Sequence, residues 1–227
     1  QIKDYVADDD RGQQALEGVS LEIRAGEILG IAGVQGNGQR ELVEVLTGLR
    51  ELKGGTARLD GKDITGFSPR QVTTSGVAHI PEDREKHGLV MAYSIADNMV
   101  LNHYFERPFS RNLVINHEAI KQNGEQLVEQ YDVRTPSALT SAGSLSGGNK
   151  QKVIVAREFS HPVKLLIASQ PTRGLDVGSI EFIHKQIIKQ RDNGVAVLLV
   201  SAELDEILGL ADRVAVMFDG KIVKTLP

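Results

Sequence analysis

Short apolar runs alternating with helix-period segments constrain this chain's fold more than any other feature. Glu27 to Gly33 is an apolar run ending in glycine, and Leu42, Val45, Leu46 and Leu49 follow it at helical spacing. Val77 to Ile80 is a second run, stopped by Pro81. Lys164 to Ala168 reads as a buried strand, Val177 to Arg191 as a helix, Val195 to Val200 as a strand and Glu203 to Leu210 as a helix. Such alternation predicts an α/β fold with a mostly parallel sheet covered on both faces. Two hairpins add an antiparallel part: Thr56 to Ile64 around Asp60-Gly61, and Val214 to Lys224 around Asp219-Gly220. After Ser94 the character changes. Ser94 with Asp97 reads as a helix start, a second helix runs from about Glu118 to Tyr131, and no convincing strand occurs before Phe159. The stretch 94–160 therefore reads as an inserted helical subdomain. Gln1 to Asp10 shows no obvious first element and looks like the middle of something longer.

Composition narrows the functional classes. Twenty-six Lys and Arg against 30 Asp and Glu leave a net charge of −4, so no footprint for nucleic acid is present. The chain has no cysteine, which removes disulfides, thiolate zinc sites and cysteine nucleophiles together. Its longest apolar stretch, Val195 to Val200, falls far short of the ~20 residues of a membrane helix, and the polar, acidic start reads as no secretory signal. These features point to a soluble, intracellular domain. No serine sits in a G-x-S-x-G elbow. The histidines His79, His87, His103, His117, His161 and His184 never stand three or four apart, so no pair shares a helix face for a metal. Each reads as a surface or packing histidine, and no metal site is expected in this chain.

Two glycine turns carry the chemistry. Gly33-Val34-Gln35-Gly36-Asn37-Gly38 follows a predicted strand and opens a predicted helix, presenting backbone N–H groups and a helix dipole to an anion. Gln35 breaks the dinucleotide spacing, and Gln39 and Arg40 stand where a phosphate loop has Lys and Ser or Thr. Taken alone, the turn is either an anion cradle or a plain strand-to-helix connection. Leu145-Ser146-Gly147-Gly148-Asn149-Lys150-Gln151 opens a second helix and is either an anion site or an ordinary N-cap. Lys150 and Lys152 read as solvated. Taken alone, Glu82, Asp83 and Arg84 allow an exposed ion-pair loop.

The second turn, LSGGNKQ, resembles the signature motif of ATP-binding cassette ATPases, and the remaining motifs fall into register from Leu16 to Val223. "GEILGIAGVQGNGQ" resembles a Walker A loop, "LLIASQPTRGLD" Walker B with the D-loop, and "VLLVSAELDEI" the switch-histidine region. "GVAHIPEDREKHGL" is similar to the Q-loop region in the second cassette of sugar and nucleoside importers. "RTPSALTSAGSLSGGNKQKVIVAREFS" points to the C-terminal cassette of nucleoside-type importer ATPases.

The resemblance implies an ABC fold and ATP as cofactor, and it makes the departures informative. Gln39 holds the place of the phosphate-binding lysine, and Arg40 that of the Mg²⁺-ligating hydroxyl. Ser169 replaces the Walker B aspartate and Gln170 the water-polarising glutamate. Ala202 stands at the switch histidine and Glu82 at the Q-loop glutamine. No aromatic falls where the adenine-stacking residue belongs, Tyr5 lying too far upstream. Losing the charged hydrogen bond at Gln39 costs about 1.5–3 kcal/mol of phosphate affinity. Losing a water-activating carboxylate costs about 10²- to 10⁴-fold in rate. Hydrolysis at this chain's own loop is not expected, and nucleotide binding there, if any, is weak and indifferent to metal.

Ser146, Gly147, Gly148 and Gln151 match the family signature, which serves ATP held by a partner cassette; Asp176 holds the D-loop position that reaches across. The resemblance thus implies half of a tandem importer ATPase on the cytoplasmic face of the plasma membrane. Mg²⁺ is expected only at the partner's site. Permease subunits would dock around Pro81 to Tyr93, and a nucleoside or sugar would be carried. The alternatives are a non-catalytic regulatory or scaffold cassette and a soluble non-transport ABC protein.

Overall fold

The computed structural model describes residues 1–227. In chain order the elements are β1 (Ile2–Asp8), β2 (Gln14–Leu21), β3 (Ile28–Ala32), α1 (Gln39–Leu46), β4 (Gly54–Leu59), β5 (Lys62–Asp63), α2 (Pro69–Thr74) and β6 (Val77–Ile80). There follow α3 (Ile95–Asn98), β7 (Ser110–Arg111), β8 (Val114–Ile115), α4 (His117–Gln130) and α5 (Gly147–Phe159). The chain closes with β9 (Leu165–Ser169), α6 (Val177–Asp192), β10 (Ala196–Val200), α7 (Leu204–Leu210), β11 (Arg213–Phe218) and β12 (Lys221–Leu226).

The chain forms two compact units. The first comprises 1–79, 163–170 and 184–227 and carries two sheets. Its central sheet has the order β12-β11-β3-β10-β9-β6. Strand β3 runs parallel to β10 and β11, β10 runs parallel to β9, and β12 closes one edge antiparallel to β11. All five residues of β9 and of β10 are buried, as continuous apolar runs in a two-sided parallel sheet should be. The second sheet, β2-β1-β4-β5, is antiparallel. Both Asp-Gly hairpins form with positive φ at each central residue, 51° and 75° at Asp60-Gly61 and 47° and 70° at Asp219-Gly220. That is the backbone twist two-residue hairpins require. The core gathers Leu16, Leu29, Ile31, Leu42, Ile167 and Leu198.

The second unit comprises 80–162 and 171–183. Ser94 accepts from the Asp97 amide at 3.0 Å and donates to its carboxylate at 2.6 Å, but the helix so started, α3, is only four residues long. The segment 94–160 is not free of strand: β7 and β8 pair antiparallel as a small hairpin. A π-helical turn occupies Arg84–Gly88, following Glu82 and the exposed Asp83.

Two further expectations fail for identifiable reasons. Gln1 to Asp10 is not structureless, since Ile2–Asp8 is a strand paired on both sides by β2 and β4. Its register breaks between Ile2 and Tyr5, and Asp4 sits at φ 52°, so a bulge erases the period-two pattern. Lys150 and Lys152 are not solvated. Each is buried to its tip, where Lys150 Nζ meets Glu85 Oε1 at 2.6 Å and Lys152 Nζ meets Asp132 Oδ2 at 2.7 Å. Lys152 also lies 4.7 Å above the Phe182 ring.

Several aspartates titrate below their ordinary value of 3.8 because the fold supplies donors: the Lys164 ammonium to Asp60, the Thr65 hydroxyl and amide to Asp63, the Lys152 ammonium to Asp132. A depressed carboxyl stabilises the fold above its unfolded pKa and loses that contribution as pH falls through the folded one. The urea midpoint is therefore expected to hold between neutrality and about pH 5 and to decline steadily toward about pH 3. A midpoint unchanged across that acid range would contradict the assignment.

Candidate functional site

The first glycine turn lies in the sheet-bearing unit, between β3 and α1. Gly36 and Gly38 take φ of 92° and 103°, conformations that favour glycine. A side chain at Gly33 would collide with the backbone carbonyl of Met217, so the loop lies directly on β11. Asn37 ties it to the closing hairpin: its side-chain oxygen accepts from the Asp219 amide at 2.8 Å, and its carbonyl accepts from the Gly220 amide at 3.0 Å. Sequence reading missed this contact, because the partners stand 182 residues apart.

Gln39 completes the loop from within. Its Oε1 accepts from the Asn37 amide at 3.0 Å and its Nε2 donates to the Val34 carbonyl at 3.0 Å. The side chain is buried, and its carboxamide satisfies a backbone N–H that an anion would otherwise use. Arg40 is equally committed: its Nε bonds Glu44 Oε1 at 2.7 Å and its Nη1 stands 3.4 Å from Asp10. Gln35 is exposed at the tip of the turn.

At the ends of β9 and β10 the same unit brings together Ser169, Gln170 and Ala202. Ser169 is buried. Gln170 adopts φ 48°, and its Oε1 accepts from the Ala202 amide at 3.1 Å. The set Gln39, Arg40, Ser169, Gln170 offers a cation no carboxylate, and the guanidinium of Arg40 is engaged by Glu44 and Asp10. Divalent metals of the Mg²⁺ type are bound through carboxylate and phosphate oxygens. These residues do not fit Mg²⁺. Tyr5, the one upstream aromatic considered for base stacking, is buried in the core, and burial pushes its phenol up to about 12.

The second glycine turn lies in the other unit and is built differently. Ser146 caps α5, accepting from the Asn149 amide at 3.4 Å and its Nδ2 at 3.0 Å. Ser146 is exposed, Gly147 half-buried and Gly148 buried, so the Ser146 end of this helix start faces outward. A Cβ on Gly148 would overlap the Ser179 hydroxyl. Ser179 in turn donates to Asp176 at 2.7 Å from Oγ and 3.0 Å from its amide, holding that carboxyl below its ordinary value. Gly148 and Asp176 thus interlock through a serine that sequence reading did not single out. Gln151 is buried and donates to the Pro171 carbonyl at 2.7 Å.

Residues 82–88 pack on the same turn. Glu82 pairs with Arg173, and Arg84 Nη1 donates to the Arg173 carbonyl at 2.8 Å. The Arg84 Nη2 atom lies 3.1 Å from where a Gly147 side chain would begin. Asp83 caps the π-helical turn through the Glu85 and Lys86 amides. Arg157 donates to Gly88 at 2.8 Å, so α5 holds this turn at several points along its length.

Comparison with known proteins decides the family. The sequence model described as "ABC transporter" matches residues 16–173. The chain belongs to the ABC transporter family. The cassette is 51% identical over 218 residues to the guanosine import ATP-binding protein NupO of Bacillus subtilis, covering 96% of the chain and 43% of that protein. It is 49% identical to the nucleoside import ATP-binding protein NupA of Lactococcus lactis, covering 98% and 44%, and 46% identical to the glucose import ATP-binding protein TsgD13 of Haloferax volcanii, covering 96% and 40%. The cassette therefore spans less than half the length of these relatives. Its fold matches a nucleotide-free ATP-binding cassette from an ABC transporter with TM-score 0.82 at 23% identity, over 99% of this chain and 89% of that one. It also matches the dimeric bacterial cassette MJ0796 with TM-score 0.82 at 20% identity, over 99% and 96%. The expected ABC fold, mostly parallel with an antiparallel part, is the fold of this cassette. No helix in it is long and apolar enough to cross a membrane.

Proposed function

We propose that this chain is the C-terminal cassette of a tandem importer ATPase, and that its chemical contribution is made to ATP bound by a partner cassette. The contrast between its two glycine turns carries the reading. One is filled by its own Gln39 carboxamide, and the other keeps Ser146 exposed with Gly147 half-buried beside it. Nucleotide and Mg²⁺ held by the partner supply the phosphate chain and the charge that organises it. Ser146, Gly147 and Gly148 donate to the γ-phosphate oxygens as charge grows on them, and a lost donor of this kind costs about 10²–10³ in rate. Gln151 fixes the turn by anchoring α5 to Pro171, and Asp176 reaches across from its Ser179 brace. Gly33 to Arg40, with Ser169, Gln170, Ala202 and Glu82, take no catalytic part.

The relatives support import as the process and a nucleoside or sugar as the cargo. Pro81 to Tyr93, where Val90 and Tyr93 leave apolar side chains exposed, is the segment we assign to the permease subunits, with the inserted 94–160 subdomain beside it. The work is then done at the cytoplasmic membrane face, the second cassette being the N-terminal half of the same polypeptide or a separate copy. The test is ATP hydrolysis by this chain alone, by the N-terminal cassette alone, and by the two mixed. Turnover appearing or rising strongly only on mixing is expected. Equal turnover with and without this chain would replace the reading with a scaffold role.

A further inference from the structure

The six histidines are too widely spaced in sequence to share a helix face, yet the fold brings two of them into contact. His103 and His161 stack with ring centroids 3.2 Å apart and planes 11° from parallel. Glu106 follows His103 by three residues, placed by the turn in which its amide donates to the His103 carbonyl at 2.9 Å. One ligand atom from each of His103, Glu106 and His161 lies within 4.8 Å of the other two. All three belong to the 80–162 unit.

We propose that His103, His161 and Glu106 form a binding site for a divalent transition-metal cation of the Zn²⁺, Co²⁺ or Ni²⁺ class. Two imidazoles and one carboxylate are a donor set these ions favour, leaving positions for water. The state of each nitrogen fits. His103 is 8% exposed, and its Nδ1 is buried with no hydrogen-bond partner, the Glu106 Oε2 atom standing 3.6 Å away. A buried polar atom left unsatisfied is costly, and a bound cation removes that cost. At His161 the neighbouring hydroxyl favours one tautomer. Ser160 Oγ lies 2.7 Å from both the Arg157 carbonyl and His161 Nδ1, and with its proton given to the carbonyl it accepts from the Nδ1–H tautomer. The Nε2 lone pair of His161 is thereby free to ligate, with the other ring nitrogen held as in a supported metal histidine.

The charge of the surroundings agrees. Glu106, Glu158 and Arg157 are the charged groups acting on the pair, and together they leave one net negative charge. The stacked rings hold their lone pairs in nearly parallel planes, so ion binding requires the His103 ring to turn toward His161 and Glu106. The ion would tie the segment after α3 to the end of α5.

The test is calorimetric titration of ZnCl₂ into the 227-residue chain at neutral pH, with the visible spectrum of the Co²⁺ complex as a readout of imidazole ligation. One ion per chain is expected. Glu106→Gln and His161→Phe should each abolish binding; the first changes a partly exposed side chain, and the second keeps an aromatic ring in the stack. Ser160→Ala should weaken binding about 10- to 100-fold by releasing the His161 tautomer. His87→Ala, at an exposed position, should leave it unchanged. Absence of Zn²⁺ and Co²⁺ binding, or binding that survives both Glu106→Gln and His161→Phe, would overturn the proposal.

Discussion

Ser146→Arg is expected to abolish the ATPase activity that this cassette generates with its N-terminal partner, while Gln39→Ala leaves that activity within about twofold, an effect of less than about 0.5 kcal/mol on the barrier. The asymmetry follows from where each side chain spends its hydrogen bonds. Gln39 serves only its own loop, through Asn37 and Val34. Ser146 is the exposed first residue of a donor-bearing turn, and an arginine there fills the space a γ-phosphate needs. The substitution also removes an N-cap worth about 0.5–2 kcal/mol, so Ser146→Asp is the matching control. Aspartate keeps the cap but sets a negative charge against the phosphate, and it too should cost about 10²-fold or more in turnover. If Ser146→Arg and Gln39→Ala caused equal losses, the division of labour between the two turns would be wrong.

The largest stability effect is expected at Ile167. It is fully buried at the centre of β9, flanked in register by Leu198 of β10, and belongs to the core of the sheet-bearing unit. Ile167→Ala removes three carbons from a close-packed site and leaves a cavity, at a cost of about 2–5 kcal/mol. For a chain of this size that corresponds to a fall of roughly 4–20 °C in the Tm of the transition that reports the sheet. Val177→Ala, at a side chain 74% exposed, should shift the same transition by no more than about 1–2 °C. A smaller loss at Ile167 than at Val177 would mean that the core is not where β9 and β10 place it.

The alternation of strands and helices was legible because β3, β9 and β10 are short continuous apolar runs bounded by turns, a pattern that survives without knowledge of partners. Both Asp-Gly hairpins were legible for the same local reason. Strand β1 was not, since a bulge at Asp4 puts the apolar residues Ile2 and Tyr5 out of phase. The helix after Ser146 could be placed, but the environment of its lysines could not. Lys150 and Lys152 look like a solvated helical face until Glu85 and Asp132, from distant segments, arrive to meet them.

Within the candidate site, the glycine turns and the residues that depart from the family pattern were readable one position at a time. What sequence could not convey is that Gln39 turns back to occupy its own loop, or that Ser179 links Gly148 to Asp176. Spacing along the chain also hid the meeting of His103 and His161, because helix periodicity reports only neighbours on one element.

A loop of Gly33 to Arg40 closed by its own glutamine should hold no metal-nucleotide complex. Calorimetric titration of ATP into this chain, with and without Mg²⁺, tests it directly. Absent binding, or weak binding indifferent to Mg²⁺, is the predicted result. Micromolar binding that requires Mg²⁺ would contradict the reading of Gln39, Arg40 and Ser169 and return this loop to the family's catalytic sites.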